Sequence, residues 1–150
     1  MLSLKCTNST ISQTLGFLQE AGRSRQECVV LWLGRRHETH IEVCEVFHPK
    51  QSARADMFHL PPASMSKIME YLRQNRIMIA AQVHSHPKQA FHSPADDLWA
   101  IIRHVGAVSI VLPNFALHTT PSTFFHDAAF FNLSPKNRWI KAPDNVLEIA

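Results

Sequence analysis

Residues 81–97 read Ala81-Gln82-Val83-His84-Ser85-His86-Pro87-Lys88-Gln89-Ala90-Phe91-His92-Ser93-Pro94-Ala95-Asp96-Asp97. Two histidines stand two apart at the end of an apolar run, and a carboxylate follows ten residues after the second. Residues i and i+2 of a strand point to the same face, so His84 and His86 can aim two imidazoles at one point. Ser93 fits a helix N-cap, Pro94 the first helical residue and Asp96 the third. A strand ending in His-x-His, a loop, and a helix bearing a carboxylate in its first turn can set three ligands around one ion. Two histidines and a carboxylate with an open fourth position are the ligand set of a catalytic zinc. Each half also has a plainer reading. Two surface histidines could flank Ser85, and Ser93-x-x-Asp96 could be a capping box that only satisfies a helix end.

Working outward, the 150 residues are enough for one domain over 1–150, burying roughly two thirds of the surface of the unfolded chain. An apolar fraction of 45% and a charged fraction of 18% are ordinary for a globular protein. A net charge of +3, with no basic run longer than Arg35-Arg36, gives no case for nucleic acid. Cys6, Cys28 and Cys44 are odd in number and lack CxxC spacing. Free thiols are expected, with Cys28 and Cys44 buried in apolar segments, and hence a reducing, cytoplasmic compartment. The N-terminus lacks the apolar core of a signal peptide, and no apolar run approaches the ~20 residues of a membrane span.

The rest of the chain supplies elements for a mixed α/β sheet with helices packed against it. Ile11, Leu15 and Leu18 predict a helix over 8–21, capped by Asn8 or Ser9 and ended by Gly22. Residues 26–34 predict a buried strand, 35–39 a hairpin turn, and 41–47 the partner strand. A polar loop over 49–56 leads to a helix over 64–75 with Met65, Ile68, Met69 and Leu72 on its apolar face. Residues 77–83 form the strand that delivers the histidines. A third helix is expected from Pro94 to about His104, with Leu98, Ile101 and Ile102 inward and Gly106 as its C-terminal cap. Further strands are expected over 107–112, within 123–133, and near 138–140 and 146–149. Neither a repeat nor a linker divides the chain.

The combined pattern resembles the JAMM, or MPN+, zinc-dependent isopeptidases, in their prokaryotic branch. That signature joins a distant glutamate at the start of a buried strand to His-Ser/Thr-His-Pro and Ser-x-x-Asp. Here Glu27 through Gly34, His84-Ser85-His86-Pro87 and Ser93-Pro94-Ala95-Asp96 match it, and Pro49-Lys50-Gln51-Ser52-Ala53 resembles a segment of some eukaryotic members. The loop from Pro87 to His92 is one residue shorter than usual, which leaves Asp97 as the alternative ligand should the register slip. The resemblance implies an MPN-like, cytidine-deaminase-like α/β fold and one zinc per chain on His84, His86 and Asp96. It implies Glu27 as general base and then acid, and Ser93 as hydroxyl donor to the oxyanion, in competition with its role as a cap. The implied substrates are a ubiquitin-like modifier or its conjugates, cleaved after the modifier's C-terminus, as in bacterial conjugation operons including antiviral ones. Release of an amino acid from a ubiquitin-like sulfur carrier and a metal-free scaffold are the alternatives. On residues alone, Glu27 could equally be a solvated residue before a strand. Among the remaining candidates, His92 could line the cleft and Trp99 fits packing. Cys28 is a poor nucleophile. His118 and His126 lack ligand spacing, so no second zinc is expected.

Overall fold

A computed structural model describes residues 2–53, 58–94, 96 and 100–150. In chain order the elements are β1 (Ser3–Cys6), α1 (Asn8–Arg23), β2 (Val29–Arg36), β3 (His40–Phe47), β4 (Ser52–Ala53), β5 (Phe58–His59), α2 (Pro62–Asn75), β6 (Met78–Ser85) and β7 (Val108–Leu112). A single 3₁₀ turn (Asn114–Ala116), α3 (Phe124–Asp127), β8 (Ala129–Leu133), β9 (Trp139–Lys141) and β10 (Leu147–Ile149) follow. The main sheet runs β10-β1-β3-β2-β6-β7-β8-β9, and β4 pairs with β5 apart from it. Parallel pairs (β1 with β10 and β3, β6 with β7) and antiparallel pairs are mixed, as expected of an α/β fold.

β2 and β6 form the centre, and their sequences show why. Val29-Val30-Leu31-Trp32-Leu33 is apolar throughout, because both faces of the strand are covered. Val30 and Trp32 belong to the core under α1, together with Ile11, Leu15 and Leu18. Val29, Leu31 and Leu33 belong to the core under α2, with Ile68, Leu72 and Ile79. The buried indole N–H of Trp32 donates to Thr14 Oγ1 at 2.8 Å, and that hydroxyl donates to Thr10 O, so α1 is pinned to the sheet by a polar contact as well. Gly34 lies at a bulge of β2, where an added Cβ would stand 2.4 Å from the Glu42 carbonyl oxygen.

Several boundaries differ from the sequence reading. Thr7, one residue earlier than expected, caps α1 by accepting from Thr10 N. The strand β1 was not anticipated: Leu2-Ser3-Leu4-Lys5-Cys6 is short, and its pairing with β3 and β10 is wholly tertiary. Residues 124–127 are helical rather than extended. On α2, Met69 is exposed, leaving Ile68 and Leu72 as its buried residues. Cys6 and Cys28 are buried and free as thiols, whereas Cys44, also free, is exposed, on the outward side of β3. Pro94 and Asp96 are helical, but residues 100–104 are not. There the backbone N–H of Ile101 donates to the Gln82 side chain at 2.9 Å instead of to a helical carbonyl. Gly106, with φ of 86°, serves the turn into β7 rather than a helix cap. The expectations for Met57, Asp97, Leu98 and Trp99 lie outside the described residues.

Candidate active site

The pairing of β2 with β6 assembles the site. Val29 is opposite His84 in antiparallel register. Continued by two residues, that register sets Glu27 opposite His86, and the backbone confirms it one step in: Ser85 N donates to Cys28 O at 3.1 Å, while Cys28 N donates to Ser85 Oγ at 3.1 Å. Cross-strand partners share a face. Glu27, 2% exposed, therefore presents Oε1 at 3.8 Å from His86 Nε2. This contact links residues 59 positions apart through nothing more than strand register.

His86 stands just past the end of β6 and is held from both sides. Its N–H donates to Leu112 O of β7 at 2.8 Å, and its carbonyl accepts from Phe115 N at 2.7 Å. Phe115 belongs to the 3₁₀ turn, in which Asn114, Phe115 and Ala116 all have positive φ, between 54° and 61°. Left-handed backbone costs of order 1 kcal/mol for a residue with a Cβ. The turn is retained by the His86 contact, by Asn114 N donating to Lys88 O, and by Gln19 Nε2 donating to the Ala116 and Thr119 carbonyls. Phe91 packs edge-on against the His86 ring at 4.8 Å between centroids.

Asp96 closes the group. Its Oδ1 lies 3.2 Å from His84 Nε2 and its Oδ2 lies 2.9 Å from His86 Nε2. Burial alone would raise the Asp96 pKa, but contacts with His84 and His86 and the Ser93 N–H outweigh it and hold the carboxyl well below the usual carboxylate range. Ser93 and Asp96 form a reciprocal cap: Asp96 N donates to Ser93 Oγ at 3.0 Å, and Ser93 N donates to Asp96 Oδ2 at 2.8 Å. The cap is formed, and the carboxylate that forms it also faces both imidazoles: Oδ2 takes the Ser93 N–H and lies against His86, while Oδ1 lies against His84. Nor do cap and donor compete at Ser93. As a cap its oxygen accepts, which leaves its own O–H to donate elsewhere.

The donor set fits a metal ion. His84, His86 and Asp96 are all buried, and one ligand atom from each lies within 4.8 Å of the others. His86 Nδ1 is 3.2 Å from the Gln89 carbonyl, which can only accept, so this contact would keep the proton on Nδ1 and leave Nε2 as the ligand nitrogen when an ion is bound. Nε2 of His86 and Oδ2 of Asp96, 2.9 Å apart, are close enough to serve one ion together. Ligand atoms around a tetrahedral zinc at ~2.0–2.1 Å stand about 3.3 Å apart, close to the spacings seen here.

Of the other functional-looking residues, His92 was a cleft candidate from the sequence, whereas the contacts of Ser109, Gln82 and Gln51 were not legible beforehand. His92 stacks on Trp139 at 4.8 Å, lies edge-on to His84 at 6.2 Å, and contacts Ser109 Oγ through Nε2 at 3.2 Å. Ser109 accepts from Gln82 Nε2 at 3.1 Å, so a buried polar chain braces the floor beneath His84. A glutamine in an apolar strand was the available signal. Gln51 bonds both backbone groups of Val29, at 2.9 Å each, in the manner of a neighbouring strand. With Ala21, Gln26, Glu27, Cys28, His48, Pro49 and Lys50 it lines a cleft of about 410 Å³. Cys28 Sγ is 3.5 Å from His48 Nε2, but burial pushes the thiol up to about 12 and the imidazole down, so this is no activated nucleophile.

A mixed α/β sheet buries two imidazoles around one carboxylate, with a glutamate beside them, and this donor set suits a metal ion. The protein named "Probable metalloprotease y4jG" of Sinorhizobium fredii (strain NBRC 101917 / NGR234) is 30% identical over 141 residues, covering 91% of this chain and 85% of that protein. The chain belongs to this metalloprotease family. No profile of a protein family matches it. Among solved structures, protein DSY2949 of Desulfitobacterium hafniense aligns with a TM-score of 0.72 at 16% identity, over 98% of this chain and 92% of that one. A protein of Salinibacter ruber (strain DSM 13855) aligns at 0.60 and 15%, over 93% and 88%. These two likenesses show the fold.

Proposed function

We propose that the protein is a zinc-dependent peptidase or isopeptidase of the JAMM type, cutting after the C-terminus of a ubiquitin-like protein. The observation that carries this reading is the placement of Glu27 beside His86 while His84 and His86 share Asp96. Zinc held by His84, His86 and Asp96 would supply Lewis acidity, making water nucleophilic at neutral pH. Glu27, whose Oε1 lies 3.8 Å from His86 Nε2, would act as general base toward the attacking water and then as general acid toward the leaving amine. The Ser93 hydroxyl would donate to the oxyanion of the tetrahedral intermediate. His92 and the Ser109–Gln82 chain would hold the His84 ring in place.

For the substrate, the cleft lined by Glu27, Cys28, His48 and Lys50 is the proposed seat of an extended tail. Gln51 holds both backbone groups of Val29 as an added strand would, so a tail bound by strand addition, a common mode for extended segments, would take the place of its side chain. A cytoplasmic setting accords with the free thiols of Cys6, Cys28 and Cys44. Among the described residues no helix is long and apolar enough to cross a membrane. The scaffold alternative has little support, since all three candidate ligands and the glutamate converge.

The test is a panel of ubiquitin-like proteins bearing C-terminal peptide, isopeptide-linked or single amino-acid adducts, incubated with zinc-loaded protein. Cleavage after the modifier is expected, with Glu27→Gln slowing it about 10²–10⁴-fold while the folded protein keeps its zinc. Turnover that survives both chelation and Glu27→Gln would contradict the reading. The adduct that is cut fastest separates a deconjugating enzyme from one that releases an amino acid from a carrier.

A further inference from the structure

The hairpin joining β2 to β3 carries a second group of metal-ligating side chains. Arg36 pairs with Ile41, and His37 N donates to His40 O at 2.8 Å, so His37 and His40 face each other across a turn made by Glu38 and Thr39. Opposed residues share a face, as do i and i+2 on one strand. His37, His40 and Glu42 therefore emerge on the same side. His37 Nε2 lies 3.4 Å from Glu42 Oε2, and the two imidazoles stack with centroids 4.7 Å apart. One ligand atom from each residue lies within 4.8 Å of the others.

We propose that this hairpin binds a second divalent ion of the zinc, nickel or copper class through His37, His40 and Glu42. Two imidazoles and a carboxylate are donors these ions favour. The Thr39 hydroxyl, 3.1 Å from His40 Nδ1, can accept from that nitrogen and so turn the lone pair of Nε2 outward. A simple surface ion pair between His37 and Glu42 is worth little and does not account for the second ring in register. Lys5 and Arg35 are register partners of Glu42 in the neighbouring strands and put positive charge on the same face. They weaken the hairpin site relative to the buried one, so the buried group fills first. The hairpin lies at the opposite end of β2 from Glu27, eight residues of extended strand away, or about 25 Å. An ion there takes no part in hydrolysis. It clips the two strands together at their turn.

Zinc alone, titrated calorimetrically into the metal-stripped full-length chain, should bind at two ions per chain, the second more weakly than the first. His37→Gln with His40→Gln should reduce this to one ion per chain and leave the hydrolytic rate within about twofold. Amide spectra of the wild type should show that the second equivalent shifts resonances of 36–42 and leaves those around Cys28 and His48 in place. Saturation of the wild type at one ion, or a second ion whose shifts fall outside the hairpin, overturns the proposal. His84→Ala with His86→Ala separates the two sites: a hairpin that still takes one ion stands whatever becomes of the hydrolytic reading.

Discussion

Ser93 and Asp96 form a cap and are each proposed to serve the site as well, and the two roles can be pulled apart experimentally. Ser93 accepts from Asp96 N as a cap while its hydroxyl proton is available to an oxyanion. Glycine is nearly as good an N-cap as serine, differing by a few tenths of a kcal/mol. Ser93→Gly should therefore leave stability almost unchanged while lowering kcat about 10²–10³-fold, the usual loss on removing one oxyanion donor. Urea unfolding and steady-state rates on the same preparation check both halves. For Asp96, the folded pKa lies below its ordinary value, so its contribution to stability is present above about pH 3.9 and is lost as pH falls through the folded value. In metal-free protein the stability gap between wild type and Asp96→Asn should narrow as pH is lowered from about 5 to below 3. A gap that widens on acidification would show that the contacts with His84 and His86 do not favour the ionised form. At this scale the sequence was most informative. His84-x-His86 follows from strand geometry alone, and Asp96 from helix capping. The proximity of His48 to Cys28 and of Gln51 to Val29 could not be read, because a loop brings each pair together.

The elements around the site are held by close approach as much as by hydrogen bonds. Gly22, expected to end α1, instead lies inside it, where an added Cβ would stand 2.7 Å from the Phe115 carbonyl oxygen. Phe115 in turn donates to the His86 carbonyl. Gly22→Ala should therefore destabilise the fold by about 1–3 kcal/mol, the usual effect of overpacking, despite alanine's better helix propensity. It should also weaken zinc retention, because the 3₁₀ turn must move. A variant as stable as wild type, by thermal or urea unfolding, would show that the turn yields freely. Periodicity revealed α1 and α2 because their apolar faces repeat, and β2 showed instead as a continuous apolar run. It failed over 100–104, where Ile101 bonds to Gln82, and over Ser3–Cys6, which is a strand only because β3 and β10 flank it.

Over the whole molecule, the sheet separates two cores, one under α1 and one under α2, and the site opens where β2 begins and β6 ends. The mixed α/β class was legible from the alternation of helical and extended segments. Strand order was not: both sheet edges, β9 and β10, come from the last short segments of the chain, whose patterning is weak. The central claim is that His84, His86 and Asp96 bind the hydrolytic metal. X-ray absorption of wild-type protein loaded with one equivalent of zinc addresses it most directly. The account predicts a shell of nitrogen and oxygen at about 2.0–2.1 Å with the scattering pattern of two imidazoles and no sulfur. Zinc–sulfur scattering at about 2.3 Å, which would place the ion on Cys28, or a protein that retains no zinc, would contradict it.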